Sequence, residues 1–261
     1  MTSLDRNWEE IEAGFDQIAT RTPNIADLRM ADPDQTLSTA EQISDRIADD
    51  ILNNEFPEGT WLRETPVAVR FKVSRGPIRE AFRLLEGDGL LALHANRGAV
   101  VTPFSRSDLN EIAYISEALS GAASNAIIQR LPKRSHASYL GAASRIAKSA
   151  ATSTGAAMAI NIALFLLWSN RAGAGRKMEQ FVRVIHRQTL RYTAEGLALH
   201  EERSEAGASL LDYARQIVNG DGTAATATHL EMMRKIHRQG WDRHKQVQTP
   251  NTKIATRKGQ R

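Results

Sequence analysis

The chain has no cysteine among its 261 residues. That excludes disulfide staples, thiolate metal sites and a cysteine nucleophile, and it agrees with a reducing cytoplasm as the expected location. Long apolar runs are missing as well. The longest, from Ala156 to Trp168, is interrupted by Asn161 and too short to span a bilayer, so no membrane partner is expected. The first sixteen residues are acidic, where a secretory signal would need a basic start followed by an apolar stretch. No glycine-rich phosphate loop, nucleophile elbow or Cys–His pair occurs, so nothing in the sequence marks an enzyme. What is present is globular: 41% hydrophobic and 25% charged residues, over a length sufficient for two domains.

Charge is unevenly placed. Residues 1–36 hold three basic and eight acidic side chains, whereas residues 240–261 hold six basic and one acidic. The net charge of +4 says little about a nucleic-acid partner, but its distribution within residues 37–103 says more. There Arg70, Lys72, Arg75, Arg79 and Arg83 cluster, while Asp45, Asp49 and Asp50 precede them on another helix. Segregation of sign within one domain is what a one-sided phosphate-binding surface needs.

Periodicity sharpens at Thr39. Ile43, Ile47 and Ile51 mark one helix stripe, which ends before the turn Phe56-Pro57-Glu58-Gly59. Trp61-Leu62 reads as a short strand. Thr65-Pro66 reads as a helix start with Thr65 as the N-cap, and Val67, Ala68 and Phe71 as the buried face. After a turn at Lys72-Val73, Ser74 heads the next helix, whose inward residues are Ile78, Ala81, Phe82 and Leu85. Gly87-Asp88-Gly89 ends it. Leu90–Leu93 and Ala99–Thr102, around a tip of His94 to Gly98, form a hairpin. Helix, helix, turn, helix and hairpin in this order make a winged helix-turn-helix.

Residues 104–240 show only helical patterning, with segments near 107–122, 135–150, 156–170, 176–200, 206–219 and 222–240. The expected fold is therefore mainly α: an N-terminal winged helix-turn-helix with a small hairpin wing (37–103), then an all-α bundle (104–240). Residues 1–36 are expected to be a flexible acidic arm with at most a short helix at Trp8–Ile18. Residues 241–261 are expected to be a disordered basic tail.

Arg75 and Arg79 stand one turn apart on one face of the second helix of the pair, where an Arg fork matches guanine O6 and N7 in the major groove. Ser74 and the helix N-terminus suit a phosphate oxygen. Gly76 permits close approach to DNA and Pro77 stiffens the first turn. Lys72 and Thr65 are placed for backbone phosphate, and His94, Arg97 and Gly98 at the wing tip for the minor groove or flanking phosphates. Arg83, flanked by Glu80 and Glu86, is equally well read as a surface ion pair.

The segment VSRGPIREAFRLLEGDGLL (Val73–Leu91), with LRETPVAVRF before it and HANRGAVV after it, resembles the GntR family of bacterial regulators. The resemblance covers 37–103. Family members often carry a longer polar side chain where this chain has Thr65. An all-helical second domain and Asn219-Gly220-Asp221 place it near the FadR-like subgroup, whose effector domain is called FCD. The resemblance implies a cytoplasmic, homodimeric DNA-binding regulator, a repressor, acting on a palindromic operator and modulated by a small metabolite. The alternative is a helical domain that only dimerises or contacts a partner.

Many FCD domains hold a metal through an Asp, a His one turn later and two further His. Helix order puts Asn161 and Phe165 at the first two positions, and about Leu210 and Met232 at the others. None is a good ligand, so a degenerate FCD-type domain without metal or cofactor is expected. His229 and His237, two turns apart, are read as surface or bundle-rim residues. Met178, Phe181, Val182, Ile185 and Thr189 define an inward helix face, with Arg183, Arg187 and Arg191 as a solvated stripe opposite. His186, at the edge of that apolar face, is the ligand-pocket candidate.

Overall fold

The computed structural model describes residues 3–30, 36–95 and 97–248. The winged domain opens with α2 (Thr39–Leu52), capped by Ser38, whose hydroxyl accepts from the Glu41 N–H while the Glu41 carboxylate accepts from the Ser38 N–H. Then follow β1 (Trp61–Leu62), α3 (Glu64–Phe71), α4 (Arg75–Gly87), β2 (Leu91–His94) and β3 (Gly98–Val101). The strands form an antiparallel sheet ordered β1-β3-β2, in which Trp61 opposes Val100 and His94 opposes Gly98. Ile43, Ile47 and Ile51 bury one stripe of α2 against Ile78, Phe82 and Leu85 of α4. Helix α3 begins at Glu64, with Arg63 rather than Thr65 as its N-cap, so Thr65 lies inside the first turn.

Gly98 is fixed by geometry. Its φ of +98° is a conformation that side chains rarely adopt, and a Cβ there would overlap the Leu62 carbonyl oxygen on β1. The wing can close onto β1 only with glycine at this position.

The second domain is helical: α5 (Arg106–Arg130), α6 (His136–Ser149), α7 (Gly155–Gly173), α8 (Arg176–Gly196), α9 (His200–Val218) and α10 (Gly222–Gln248). Helix α5 is capped by Ser105, two residues before the expected Ser107. The apolar run of α7 is its centre, with Met158, Phe165 and Leu167 fully enclosed. No helix among the described residues is long and apolar enough to cross a membrane.

The expected flexible arm is instead part of the bundle. Helix α1 (Ser3–Gln17) packs on α6 and α7 through Ile11, Phe15 and Ile18, all at most 3% exposed. Phe15 meets Tyr139 edge-on, with ring centroids 5.1 Å apart. Arg145 of α6 donates to the Ile18 and Phe15 carbonyls at 3.0 and 2.6 Å, satisfying the open end of α1. A 3-10 turn at Ile25–Arg29 buries Ile25 and Leu28. The acidity of this segment is used internally: Glu10 pairs with Arg171 at 2.7 Å. The spacing of Ile11, Phe15 and Ile18 at i, i+4 and i+7 is the physical reason the segment is not an arm. At the other end, α10 continues through residues 241–248, expected as disordered tail; residues 249–261 lie outside the described residues.

Candidate DNA-reading surface and helical-domain cavity

Arg75 opens α4 and Arg79 follows one turn later, both exposed. They share a concave surface with Thr65 and with the wing residues His94, Arg97 and Gly98. Of the residues expected to meet DNA, these six line that surface, and Lys72, Ser74, Gly76 and Pro77 do not. His94 packs at a tilt against the half-exposed Trp61, with ring centroids 4.9 Å apart, an aromatic element absent from the expected set.

Ser74 is the N-cap of α4 and is exposed, and its side chain makes no capping bond. Its hydroxyl and the first N–H groups of α4 are therefore available to an anion. Nothing would contact a Cβ at Gly76 within 4 Å, so that flank of the helix is open to close approach. Pro77 lies in the first turn of α4. Lys72 ends α3 in a left-handed conformation, φ 56°, and is exposed at the turn between the two helices.

Arg79 is held by Glu64 and not by its neighbour Glu80. Its Nε and Nη2 donate to the two Glu64 carboxylate oxygens at 2.9 and 3.0 Å. Those bonds hold the Glu64 carboxyl below the usual glutamate range. Glu80 pairs instead with Arg83 at 2.7 Å, both side chains exposed.

The helical domain has a cavity of about 460 Å³, partly open to solvent, between α5, α7, α8, α9 and α10. His186, the expected pocket candidate, lines it. So do His229 and His237, expected as surface or bundle-rim residues; both are half-buried. On α10, His229, Met233, His237 and Trp241 recur every four residues and all line the cavity. That period was available in the sequence. Burial pushes the imidazole pKa down to about 3 at His186 and about 4 at His229 and His237, so all three rings are neutral at neutral pH.

Asn161, Phe165, Leu210 and Met232, expected at ligand positions, are all buried. Phe165 and Leu210 are fully buried core, and Met232 is 5% exposed. The Asn161 side-chain oxygen accepts the Ala19 N–H at 3.3 Å. Among the described residues, no group of three or more His, Cys, Asp or Glu side chains has the geometry to hold a metal ion. From α7 it is Leu166 and Asn170 that line the cavity.

Helix α8 joins the two halves. Val182, Ile185, His186 and Thr189 line the cavity. The arginine stripe does lie away from the cavity, but it is not solvated: Arg187 and Arg191 are buried against the winged domain. Arg187 pairs with Asp88 at 3.1 Å and with Asp45 at 3.6 Å. Arg29 Nε donates to both Asp45 oxygens, at 2.8 and 2.7 Å. Arg191 donates to the Ile51 carbonyl and faces Glu58 at 3.6 Å. Arg183 pairs with the buried Glu179 at 3.8 Å. Phe181, expected inward, is 69% exposed.

Comparison with known proteins agrees with this geometry. Residues 39–101 match the family model for bacterial regulatory proteins of the gntR family. The uncharacterized HTH-type transcriptional regulator YdhC of Bacillus subtilis is 47% identical over 62 residues, 24% of this chain and 28% of that protein. The HTH-type transcriptional repressor RspR of Escherichia coli is 37% identical over 79 residues, 30% of this chain and 35% of that protein. These matches thus span about a third of the length of the curated relatives or less. The fold extends further: a solved structure of a putative transcriptional regulator GntR from Rhodococcus superposes with a TM-score of 0.64 at 18% identity, covering 79% of this chain and 99% of that one. Residues 39–101 are accordingly a winged helix-turn-helix that matches the gntR family model, joined here to a helical domain whose fold is shared with the Rhodococcus structure.

Proposed function

We propose that the protein is a sequence-specific DNA-binding transcriptional repressor that acts as a homodimer on a palindromic operator, with an FCD-like helical domain that senses a small molecule. The observation that carries the DNA-binding part is the placement of Arg75, Arg79, Arg97 and His94 around one exposed concave surface of a winged helix-turn-helix. Two guanidinium groups a turn apart on the recognition helix suit guanine edges, and the wing suits the adjacent minor groove or phosphates. Lys72, Ser74, Gly76, Pro77 and Thr65 take backbone-positioning roles. Repression is supported by the description of the relative RspR. A homodimer is supported by the small footprint of one winged domain, which two-fold symmetry doubles.

Sensing is supported by the cavity and by α8, which lines it on one side and carries buried arginines into the winged domain on the other. Selection of bound duplexes from a random DNA pool is the test. Wild type should return a palindromic consensus, and Arg75→Ala and Arg79→Ala should lose it. Wild-type preference in both variants would refute the recognition-helix assignment.

A further inference from the structure

The concave surface of the winged domain is unbalanced in charge. Its lining carries Arg63, Arg75, Arg79, Arg83 and Arg97 against one carboxylate, Glu64. That carboxylate is occupied, because both its oxygens accept from Arg79, and Arg83 is paired with Glu80. The side chains of Arg63 and Arg97, both exposed, make no ion pair or hydrogen bond among the described residues. Arg97 belongs to the wing. Arg63 belongs to neither the wing nor the recognition helix.

Arg63 continues β1 in extended conformation, φ −97° and ψ 139°, and is the N-cap of α3. Trp61 and Arg63 are exposed, whereas Leu62 between them is 3% exposed. Side chains alternate along an extended segment, so the indole and the guanidinium share one face. The wing closes against the same point: the Arg63 Cα lies 3.2 Å from where a Gly98 Cβ would stand. His94, at the wing tip, backs the Trp61 ring.

An unpaired guanidinium two residues from a half-exposed indole matches the DNA backbone. The planar fork fits phosphate oxygens, and the apolar ring face fits the carbon atoms of a deoxyribose. The pair stands outside the recognition helix, so it meets the strand flanking the groove that Arg75 and Arg79 enter, where contacts position the protein and carry no sequence information.

We propose that the Trp61–Arg63 segment is a further DNA-contacting element, in which Arg63 donates to a backbone phosphate and the Trp61 indole packs on the adjoining deoxyribose. The inference rests on the DNA-binding reading above and extends it to a strand outside the helix-turn-helix and wing.

The test titrates the full chain with the duplex returned by selection and with a scrambled duplex of equal length, over a range of salt. Arg63→Ala should weaken both by roughly tenfold and reduce the slope of log affinity against log salt by about one per protomer. The ratio between the two duplexes should stay as in wild type. Arg63→Lys should keep the slope, which separates lost charge from a damaged fold. Trp61→Ala should weaken both duplexes by roughly three- to tenfold with the slope intact. Trp61 is the one exposed indole among the described residues, so duplex should change wild-type tryptophan fluorescence and leave that of Trp61→Phe unchanged. Wild-type affinity and slope in Arg63→Ala, or a collapsed ratio at unchanged slope, would overturn the phosphate contact. Equal fluorescence changes in wild type and Trp61→Phe would overturn the contact of Trp61. Failure of wild type to bind either duplex would instead refute the DNA-binding reading, and this inference with it.

Discussion

Arg79 and Glu64 form a two-bonded fork across the α3–α4 junction, so a guanidinium aimed outward from the recognition helix already has a carboxylate in its grasp. Glu64 orients the arginine and also competes for it. Arg79→Ala should therefore cut operator preference by roughly ten- to a hundredfold. Glu64→Ala should act in two directions, raising affinity for arbitrary duplex while narrowing the margin between operator and scrambled DNA. Anisotropy titrations on both duplexes, at several salt concentrations, resolve the two effects. An unchanged margin in Glu64→Ala would show that Arg79 needs no positioning by this pair.

The N-terminal helix is a structural element of the bundle. Phe15, fully buried against Tyr139 and Phe165, should destabilise the protein by about 3–5 kcal/mol on truncation to alanine. Removal of residues 1–30 should lower the denaturation midpoint of the helical domain. A truncated chain as resistant to urea as wild type would contradict this.

Buried charge at the domain boundary makes a third case. Arg187 is 2% exposed and faces both Asp45 and Asp88. Arg187→Met leaves those carboxylates facing each other with less compensation, and loss of one partner from a buried pair costs about 3–5 kcal/mol. Because Arg29 still neutralises Asp45, the additional substitution Asp88→Asn should recover part of the loss. Urea denaturation of the single and double variants measures both terms, and a double variant no more stable than Arg187→Met would exclude coupling through Asp88.

How much of this was legible in sequence depends on where each residue's partner lies. The recognition helix was legible because VSRGPIREAFRLLEGDGLL carries its own cap residue, apolar face and terminating glycines within a few turns. The boundary of α3 was off by two residues because Thr65-Pro66 imitates a cap while Arg63 fills that position. The arginine stripe of α8 was assigned to the correct side and the wrong environment. Nothing near Arg187 in sequence discloses Asp45 or Asp88, which reach it only when the two domains pack. The N-terminal segment failed for the same reason: its apolar spacing was readable, but its partners, Tyr139 and Phe165, lie more than a hundred residues away.

Stability should be greatest near pH 6.5 and fall on either side of it. His186, His229 and His237 have pKa values held down to about 3, 4 and 4 in the folded chain, against 6.5 for an ordinary histidine. Below about pH 6.5 the unfolded chain takes up protons that the folded chain refuses, so stability declines toward pH 4 by roughly a few kcal/mol. His244 works in the opposite sense. Hydrogen bonding to Glu195 and Glu58 raises its pKa to about 9, so its contribution is complete below pH 6.5 and is lost as pH rises toward 9. Urea midpoints across pH 4.5–9.5 test both limbs. His229→Gln should flatten the acid limb and His244→Gln the alkaline one. A midpoint that stays level between pH 6.5 and 5 in wild type would contradict the buried neutral state of the three rings.

Helix α8 passes between α10 and the winged domain with little room to spare. A Cβ at Gly240 of α10 would overlap the Tyr192 carbonyl oxygen of α8. Such close packing lets the helix shift as a body but not bend freely, so His186 and Arg187, adjacent in the chain, report to opposite sides of one rigid element. Thermodynamic reciprocity then applies between the two sites. Whatever factor an occupant of the cavity applies to operator affinity, the operator must apply to that occupant. A corepressor would be bound most tightly by protein already on DNA, and an inducer would be bound most weakly there. The protein would thus count its ligand differently on and off the chromosome, through a single turn of helix.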